Sequence, residues 1–296
     1  MQKVVVITGA TGTLGSKLLE YHIKKDDVVI ALSRCDHKIN NWALKYPTVN
    51  WSLGDIRDLK GCLPPKAHIV YHCAALKHVH MGESFPFQYH NVNYQGTMNV
   101  YEAIEANKFV YFSTDKAVLL VNFYGLTKAL AEKHLLAIKR STGRDIQIFR
   151  WGNIIGSQGS VLAGFIHQLR AETPVVNITH PDMTRFWLKI EDAISYVTFH
   201  SDRVVDLSEE KKDVYIHPNI KAAYVLDMIQ AIANVLGVSG YETKITGIRP
   251  GEKIHEHLKS DHDSCIRSDT ADKYTMEELT ELVRPAVINY MAGNNV

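Results

Sequence analysis

Short apolar, β-branched runs recur through the first half of the chain, at residues 3–8, 27–32, 68–73, 108–113 and 145–150. Between them lie stretches whose apolar residues return at helical spacing, notably 16–25, 88–107 and 122–140. Strands that alternate with helices suit crossover connections, so the pattern predicts an α/β fold with a doubly wound parallel sheet. Beyond residue 151 the rhythm breaks: glycines stand at 152, 156, 159 and 164, and two further helices are expected at 222–236 and 275–289. Residues 1–151 are thus read mainly as the sheet domain. Residues 152–296 are read mainly as a smaller lobe over the carboxyl ends of the strands, with some segments returning to the sheet. There is no internal repeat, and the mixed-charge run 209–213 reads as a solvated loop.

Composition narrows the partners. Of 296 residues 46% are apolar, enough for one large core and a second lobe. Thirty-three basic residues against 32 acidic give a net charge of +1, so no global field favours nucleic acid or an anionic membrane. An anionic ligand must then be held by local groups. Cys35, Cys62, Cys73 and Cys265 have no metal-ligand spacing and are few for a disulfide scaffold, which suits a reduced cytoplasmic protein. The first strand begins at Lys3 without a leader, and no apolar run approaches the ~20 residues that span a bilayer, so no membrane partner is expected.

Gly9, Gly12 and Gly15 follow the first strand directly and open a helix, with Thr11, Thr13 and Leu14 in the same turn. Their missing side chains let a pyrophosphate approach backbone N–H groups, which makes the first domain an NAD(P)-binding Rossmann domain. The second strand ends Leu32-Ser33-Arg34, where an NAD-selective site carries an acid for the ribose hydroxyls. Arg34 suits a 2′-phosphate instead, which favours NADP, while Asp36 leaves NAD open and a solvated strand-end cation is the bland alternative. After the third strand, beside Ile56, Asp55 either accepts from the adenine amino group or caps the next helix.

The densest chemistry is Ser113-Thr114-Asp115-Lys116 followed by Tyr124-x-x-x-Lys128. Residues four apart share a helix face, so the Lys128 ammonium can stabilise a Tyr124 phenolate. Lowering a phenol from its ordinary pKa of ~10 by ~3 units takes about 4 kcal/mol, which the lysine and an oxidised nicotinamide together could supply. Asp115 and Lys116 add an acid and a base that a simple alcohol dehydrogenase does not need. Alone, a Thr-Asp pair caps a helix and a Tyr-Lys pair decorates a surface; after a core strand and beside a glycine turn they read as a catalytic set.

With these residues the chain resembles the extended short-chain dehydrogenase/reductase superfamily. More closely, five strings resemble the inverting UDP-N-acetylglucosamine 4,6-dehydratases: His72-Cys73-Ala74-Ala75-Leu76-Lys77-His78-Val79, Ser113-Thr114-Asp115-Lys116-Ala117, Arg150-Trp151-Gly152-Asn153, Met183-Thr184-Arg185-Phe186-Trp187 and Gly247-Ile248-Arg249-Pro250-Gly251-Glu252-Lys253. The resemblance implies a cycle in which NADP is reduced at carbon 4 of the sugar and reoxidised at carbon 6. Tyr124 takes the 4-hydroxyl proton, Thr114 holds the oxygen at carbon 4, Lys116 removes the carbon 5 proton, and Asp115 protonates the departing 6-hydroxyl. Return of the proton to the opposite face inverts carbon 5.

The same resemblance assigns Arg185 and Arg249 to the uridine diphosphate, Glu252 to the ribose, and Lys77 and Asn153 to the nicotinamide and sugar. Ser113 and Val161 fall on the substrate side, and Cys73, Ala74, Ile56 and Ile154 on the cofactor side. It further implies UDP-N-acetylglucosamine or a related UDP-sugar as partner, and a homo-oligomer, dimer or hexamer. The chain departs from the pattern at Gln158, where arginine is usual, at Leu120 in place of proline, and at Cys35 in place of an acid. A UDP-sugar 4-epimerase would use Tyr124 and Lys128 without Asp115-Lys116. A retaining dehydratase would keep the configuration at carbon 5, and an NADP-binding regulatory protein would turn nothing over. His78-x-His80 lacks a third ligand, so no metal is expected.

Overall fold

A computed structural model describes residues 2–203, 213–260 and 264–293. In chain order the elements are β1 (Val4–Thr8), α1 (Thr13–Ile23), β2 (Val28–Ser33), α2 (Asp36–Lys45), β3 (Asn50–Leu53), β4 (Lys66–His72), α3 (Val79–Ser84), α4 (Pro86–Tyr89), a π turn (His90–Gln95), α5 (Gly96–Ala103), β5 (Glu105–Thr114) and a 3₁₀ turn (Asp115–Ala117). There follow α6 (Phe123–Thr142), β6 (Asp145–Trp151), β7 (Asn153–Ile154), α7 (Val161–Leu169), β8 (Val175–Ile178), β9 (Thr184–Leu188), α8 (Ile190–Ser201) and β10 (Tyr215–Ile216). The chain continues with β11 (Lys221–Tyr224), α9 (Val225–Leu236), β12 (Glu242–Ile245), β13 (His257–Ser260), β14 (Cys265–Arg267) and α10 (Met276–Met291). Two compact units result, Met1–Arg150 with Ile194–Tyr215, and Trp151–Ala193 with Ile216–Val296. Of the run 209–213, only Asp213 is among the described residues.

The first unit carries the expected parallel Rossmann-like sheet, in strand order β10-β6-β5-β4-β1-β2-β3. Every right-handed crossover from a parallel strand returns the chain to the same edge, so the carboxyl ends of β1, β2, β4 and β5 line up. The registers Thr8↔Leu32, Thr8↔His72 and His72↔Tyr111 fix this edge, where the candidate residues begin. Below them Val6, Val70, Tyr111, Ile146 and Ile148 pack with Leu135 and Leu136 of α6 into one core.

Two helix expectations needed correction. The stretch 88–107 is not one helix: it runs as α4, the π turn and α5, and from Glu105 it is already β5. The wide turn forms where Asn93 turns its side-chain amide onto Leu76, accepting from its N–H at 2.8 Å and donating to its carbonyl at 2.9 Å. The stretch 222–236 is helical only from Val225, because residues 221–224 pair antiparallel with β9.

In the second unit β11, β9 and β7 form a three-stranded sheet, and β8 pairs with β12. Phe165, Ile166, Trp187, Ile229, Ile232, Leu282 and Val283 make its core between α7, α9 and α10. A complete capping box starts α10: the Thr275 hydroxyl accepts from Glu278 N–H, and the Glu278 carboxylate accepts from Thr275 N–H. Among the described residues no helix is long and apolar enough to cross a membrane.

At the opposite edge of the first sheet α8 is tied down by polar groups. Buried Lys108 donates to the carbonyls of Ser201 at 2.6 Å and Arg203 at 3.0 Å. Asp202 accepts from Lys3 at 3.1 Å, from the Tyr21 hydroxyl at 2.6 Å and from Lys25. Burial opposes ionisation of Asp202, but the hydrogen bonds from Lys25, Tyr21 and Lys3 override it and take the carboxyl down to about 2. A carboxylate depressed on folding stabilises the fold fully above its unfolded pKa of ~3.9 and loses that contribution as pH falls through the folded value. Asp202→Asn should therefore lower the denaturation midpoint at pH 6, and the gap from wild type should close between about pH 4 and pH 2.

Candidate active site

The glycine turn closes because its residues have no side chains. Gly9 has φ +66°, and a Cβ there would stand 2.8 Å from the Ala74 backbone nitrogen, while one on Gly15 would stand 2.4 Å from the Gly9 carbonyl oxygen. Gly12 caps α1 without a side-chain hydrogen bond, and the first turn, which includes Thr13 and Leu14, holds no acid. A helix start with neither a side-chain cap nor an acid suits the diphosphate of a dinucleotide. Thr11 and Ser33 share a hydroxyl–hydroxyl hydrogen bond of 2.9 Å that ties the turn to the end of β2.

Arg34 leaves that strand end with its side chain 52% exposed, 3.8 Å from Asp55. Asp55 is held more tightly by Arg57, whose backbone N–H donates at 2.9 Å and whose guanidinium donates at 3.0 and 2.7 Å. The Arg57 hydrogen bonds outweigh burial and lower its pKa. Asp55 thus closes its own turn instead of capping a helix, and Ile56 beside it is buried against Gly96. Cys73 and Ala74 continue from β4, the Cys73 N–H donating to the Thr8 carbonyl at 3.1 Å. Burial raises the Cys73 thiol and lowers the Lys77 ammonium.

The catalytic candidates of the first unit converge at the end of β5. Ser113 is buried, and its hydroxyl has no hydrogen-bond partner among the described residues. The Thr114 hydroxyl donates to Asp115 Oδ1 at 2.9 Å and accepts from Lys116 N–H at 3.3 Å. Lys116 Nζ reaches the same Asp115 oxygen at 2.9 Å, so the proposed acid and base form one ion pair, buried on the aspartate side and partly exposed on the lysine side. Asn122 caps α6 by accepting from Gly125 N–H at 2.7 Å, and Glu83 accepts from Phe123 N–H at 2.7 Å. Between these caps the helix presents Tyr124 and, one turn on, Lys128.

The electrostatics differ from the expected lysine-lowered phenol. Burial pushes Tyr124 up to about 12, against the pull of the Lys116 charge and a hydrogen bond with Thr114. Burial also brings Lys128 down to about 7, only partly offset by Glu132 and Cys73. Burial thus works against the charged form of both partners.

Sequence reasoning passed over the groups that hold this arrangement from behind. His72, fully buried, lies between the Thr8 hydroxyl at 2.8 Å and the Thr97 hydroxyl at 2.9 Å, and burial keeps it neutral, at about 3. The Thr97 hydroxyl donates to the Asn93 carbonyl at 2.7 Å, and the Asn93 amide donates to the Thr127 hydroxyl at 3.2 Å. Thr127 in turn donates to the Tyr124 carbonyl at 2.8 Å. Asn93 carried no signal except its place in the 88–107 stretch; Glu132 carried one, standing four residues after Lys128 on the same helix face.

The other candidates belong to the second unit. Asn153 and Ile154 form β7 opposite Trp187 and Leu188, and Val161 opens α7. Arg185 is turned inward: NH1 donates to the carbonyls of Thr184 at 2.7 Å and Ile254 at 3.0 Å, and NH2 donates to the Lys253 carbonyl at 2.8 Å. Two of these three bonds hold the 253–254 segment. Arg249 is exposed, and its N–H donates to Glu252 at 3.2 Å within the turn that Gly251, at φ +81°, completes.

A parallel sheet with a glycine turn after its first strand and a Tyr-x-x-x-Lys helix after its fifth is the arrangement of short-chain dehydrogenase/reductases. Within that class the chain belongs to the family described as polysaccharide biosynthesis protein, which it matches over residues 5–278. It is 32% identical to the UDP-N-acetylglucosamine 4,6-dehydratase (inverting) of Campylobacter jejuni over 95% of this chain and 85% of that one. It is equally 32% identical to the UDP-glucose 4-epimerase of Rickettsia canadensis, over 93% of this chain and 82% of that one. Among solved structures, Pen from Bacillus thuringiensis superposes with a TM-score of 0.85 at 24% identity, covering 96% of this chain and 98% of that one, a likeness of fold.

Gly125 gives the site a direct test. A Cβ there would lie 1.9 Å from the Lys116 carbonyl oxygen, whereas a Cβ on Gly164 in α7 would meet nothing within 4 Å. Replacing a helical glycine by alanine ordinarily stabilises by ~0.5–1 kcal/mol. Gly164→Ala should raise the thermal midpoint accordingly, and Gly125→Ala should lower it by pushing the 3₁₀ turn and α6 apart.

Proposed function

We propose that this chain is a nucleotide-sugar 4,6-dehydratase that converts UDP-N-acetylglucosamine, with inversion at carbon 5, to a UDP-4-keto-6-deoxy-L-hexosamine, with NADP as recycled cofactor. Relatives named both ways support a nucleotide-sugar 4,6-dehydratase or 4-epimerase. The observation that favours elimination is the Asp115–Lys116 pair, 2.9 Å apart, with Asp115 buried beside Thr114. A 4-epimerase has no step that needs it.

A nicotinamide dinucleotide bound at the glycine turn supplies a hydride acceptor for carbon 4 and a hydride donor for carbon 6, with no net redox. Tyr124 accepts the 4-hydroxyl proton, and Thr114 hydrogen-bonds the oxygen at carbon 4 as its charge develops. The Asp115–Lys116 ion pair holds one proton along its 2.9 Å contact. Moved onto Asp115, that proton leaves an amine able to take the hydrogen at carbon 5, acidified by the neighbouring ketone, and an acid able to protonate the leaving 6-hydroxyl. The Thr114 hydroxyl, which otherwise donates to the same carboxylate oxygen, is then released toward the substrate. Each positioned acid or base is worth on the order of 10²- to 10⁴-fold in rate.

Arg34 supports NADP. Its guanidinium is exposed, and its carboxylate neighbour is taken up by Arg57. Asp36, the acid that would favour NAD, accepts instead from His37 N–H at 2.7 Å. Arg249 and Glu252 fit the diphosphate and ribose of the nucleotide, whereas Arg185 shapes the segment that follows them. Exposed Phe85, Phe87, Leu126 and Leu130, around α4 and α6, support a homo-oligomer paired through these helices, and the composition suits the cytoplasm.

Incubation with UDP-N-acetylglucosamine in deuterated water should give a 4-keto product carrying deuterium at carbon 5, and its ring coupling constants should report the inverted configuration. UDP-N-acetylgalactosamine without deuterium would establish the epimerase instead. Lys116→Ala should lower the rate of this exchange at least ~100-fold. Arg34→Ala should weaken NADP far more than NAD in equilibrium binding; unchanged selectivity would refute the phosphate assignment.

A further inference from the structure

Three ionisable groups follow one another along α6 at spacings of one turn: Tyr124, Lys128 and Glu132. Lys128 and Glu132 are each only 3% exposed. The Glu132 carboxylate is gripped by both arms of one guanidinium from β6, Arg150 Nε at 3.1 Å and NH2 at 2.5 Å. Lys128 Nζ stands 4.0 Å from the centre of the Tyr111 ring, on β5. The Cys73 thiol and the His72 ring also act on it, and both are held uncharged by burial. Glu132 is the anion of this surround, on a helix face shared with the lysine.

The charge matters through a tautomer. When Tyr124 and Lys128 have lost one proton between them, the pair is either tyrosinate with ammonium or phenol with amine. The proton count is the same, and only the first arrangement is a base. Burial of Lys128 favours the second. We propose that Glu132 is a positioning residue for charge: oriented by Arg150, its carboxylate keeps the positive charge on Lys128, so that the missing proton of the pair is the one on Tyr124. Arg150 tempers the effect by drawing on the same carboxylate. The inference rests on Tyr124 as the base, which elimination and epimerisation share.

Two readouts test it: the pH titration of the Lys128 side chain by NMR of isotope-labelled lysine, assigned by loss of its signal in Lys128→Met, and the pH profile of kcat with UDP-N-acetylglucosamine. Glu132→Gln should move the Lys128 titration and the acid limb of kcat about one unit to lower pH, and should lower the plateau about tenfold. Arg150→Met should move both in the opposite direction, and Glu132→Asp should restore most of the wild-type profile. Either removal leaves a buried charge unpaired and burdens folding, so the double variant Glu132→Gln/Arg150→Met supplies a neutral, foldable comparison. There the Lys128 titration should still lie below wild type, since Glu132 acts on the lysine itself and Arg150 acts through Glu132. An unmoved Lys128 titration in the double variant, or shifts of the same sign in the two single variants, would overturn the proposal. If the titrations move as expected while wild type does not turn over UDP-N-acetylglucosamine, the substrate reading fails and the charge relation stands.

Discussion

Removing a lysine amine from water costs several kcal/mol unless neighbours compensate, and Lys128 is removed almost completely. The structure answers with the face of Tyr111, with a carboxylate one turn away, and with partial neutrality. The same dry surroundings push Tyr124 upward, so burial works against both partners of the pair at once. Lys116 and Thr114 are the groups that oppose this on the tyrosine. They reach it because α6 can lie against the 3₁₀ turn at Gly125, where any side chain would strike the Lys116 carbonyl.

Behind the ionisable groups runs a chain of uncharged hydrogen bonds whose direction can be worked out. The Thr97 proton goes to the Asn93 carbonyl, so its oxygen must accept from His72 Nε2–H. His72 Nδ1 is then the acceptor and takes the Thr8 hydroxyl proton, while Thr8 accepts weakly from Ala74 N–H at 3.4 Å. This line joins Ala74, on which the glycine turn closes, to the π turn and through Asn93 and Thr127 to the backbone of Tyr124. With His72 held at about 3, the tautomer does not change across working pH. The site geometry is thus anchored by bonds insensitive to pH, and the groups that must change protonation are hung upon them.

How far the sequence reveals this depends on whether the cause is local. The absence of a Cβ at Gly9 and Gly15 is written in the residue itself, and so is the one-turn spacing of Tyr124 and Lys128; both the turn and the shared helix face were legible. The break of the 88–107 stretch was not, because it depends on Asn93 meeting the backbone of Leu76, a residue outside that stretch. The effect of burial on Tyr124 and Lys128 was not legible either, for a related reason. A lysine at helical spacing suggests a charge, but whether it keeps that charge is decided by desolvation, which comes from β4, β5 and β6 together. Asp55 likewise offered two readings, and of these the helix cap fails because the guanidinium two residues on holds the carboxylate within its own turn.

Charges already spent inside the protein decide which remain for an anionic ligand. With a net charge of +1 the chain offers no general attraction, so every arginine counts. Arg150 is closed on Glu132, Arg57 on Asp55, and Arg185 commits three N–H groups to backbone carbonyls. Arg34, at the end of β2, and Arg249, in its exposed turn, are not drawn in this way, and the first turn of α1 presents amides without a side-chain cap. A dinucleotide and a nucleotide sugar carry separate phosphates, and these donors lie in separate parts of the chain. Arg185 acts instead on the backbone, fixing residues 253 and 254 just after Arg249 and Glu252. Its shape therefore matters more than its charge, and a lysine, which lacks the planar fork, could not hold the same carbonyls.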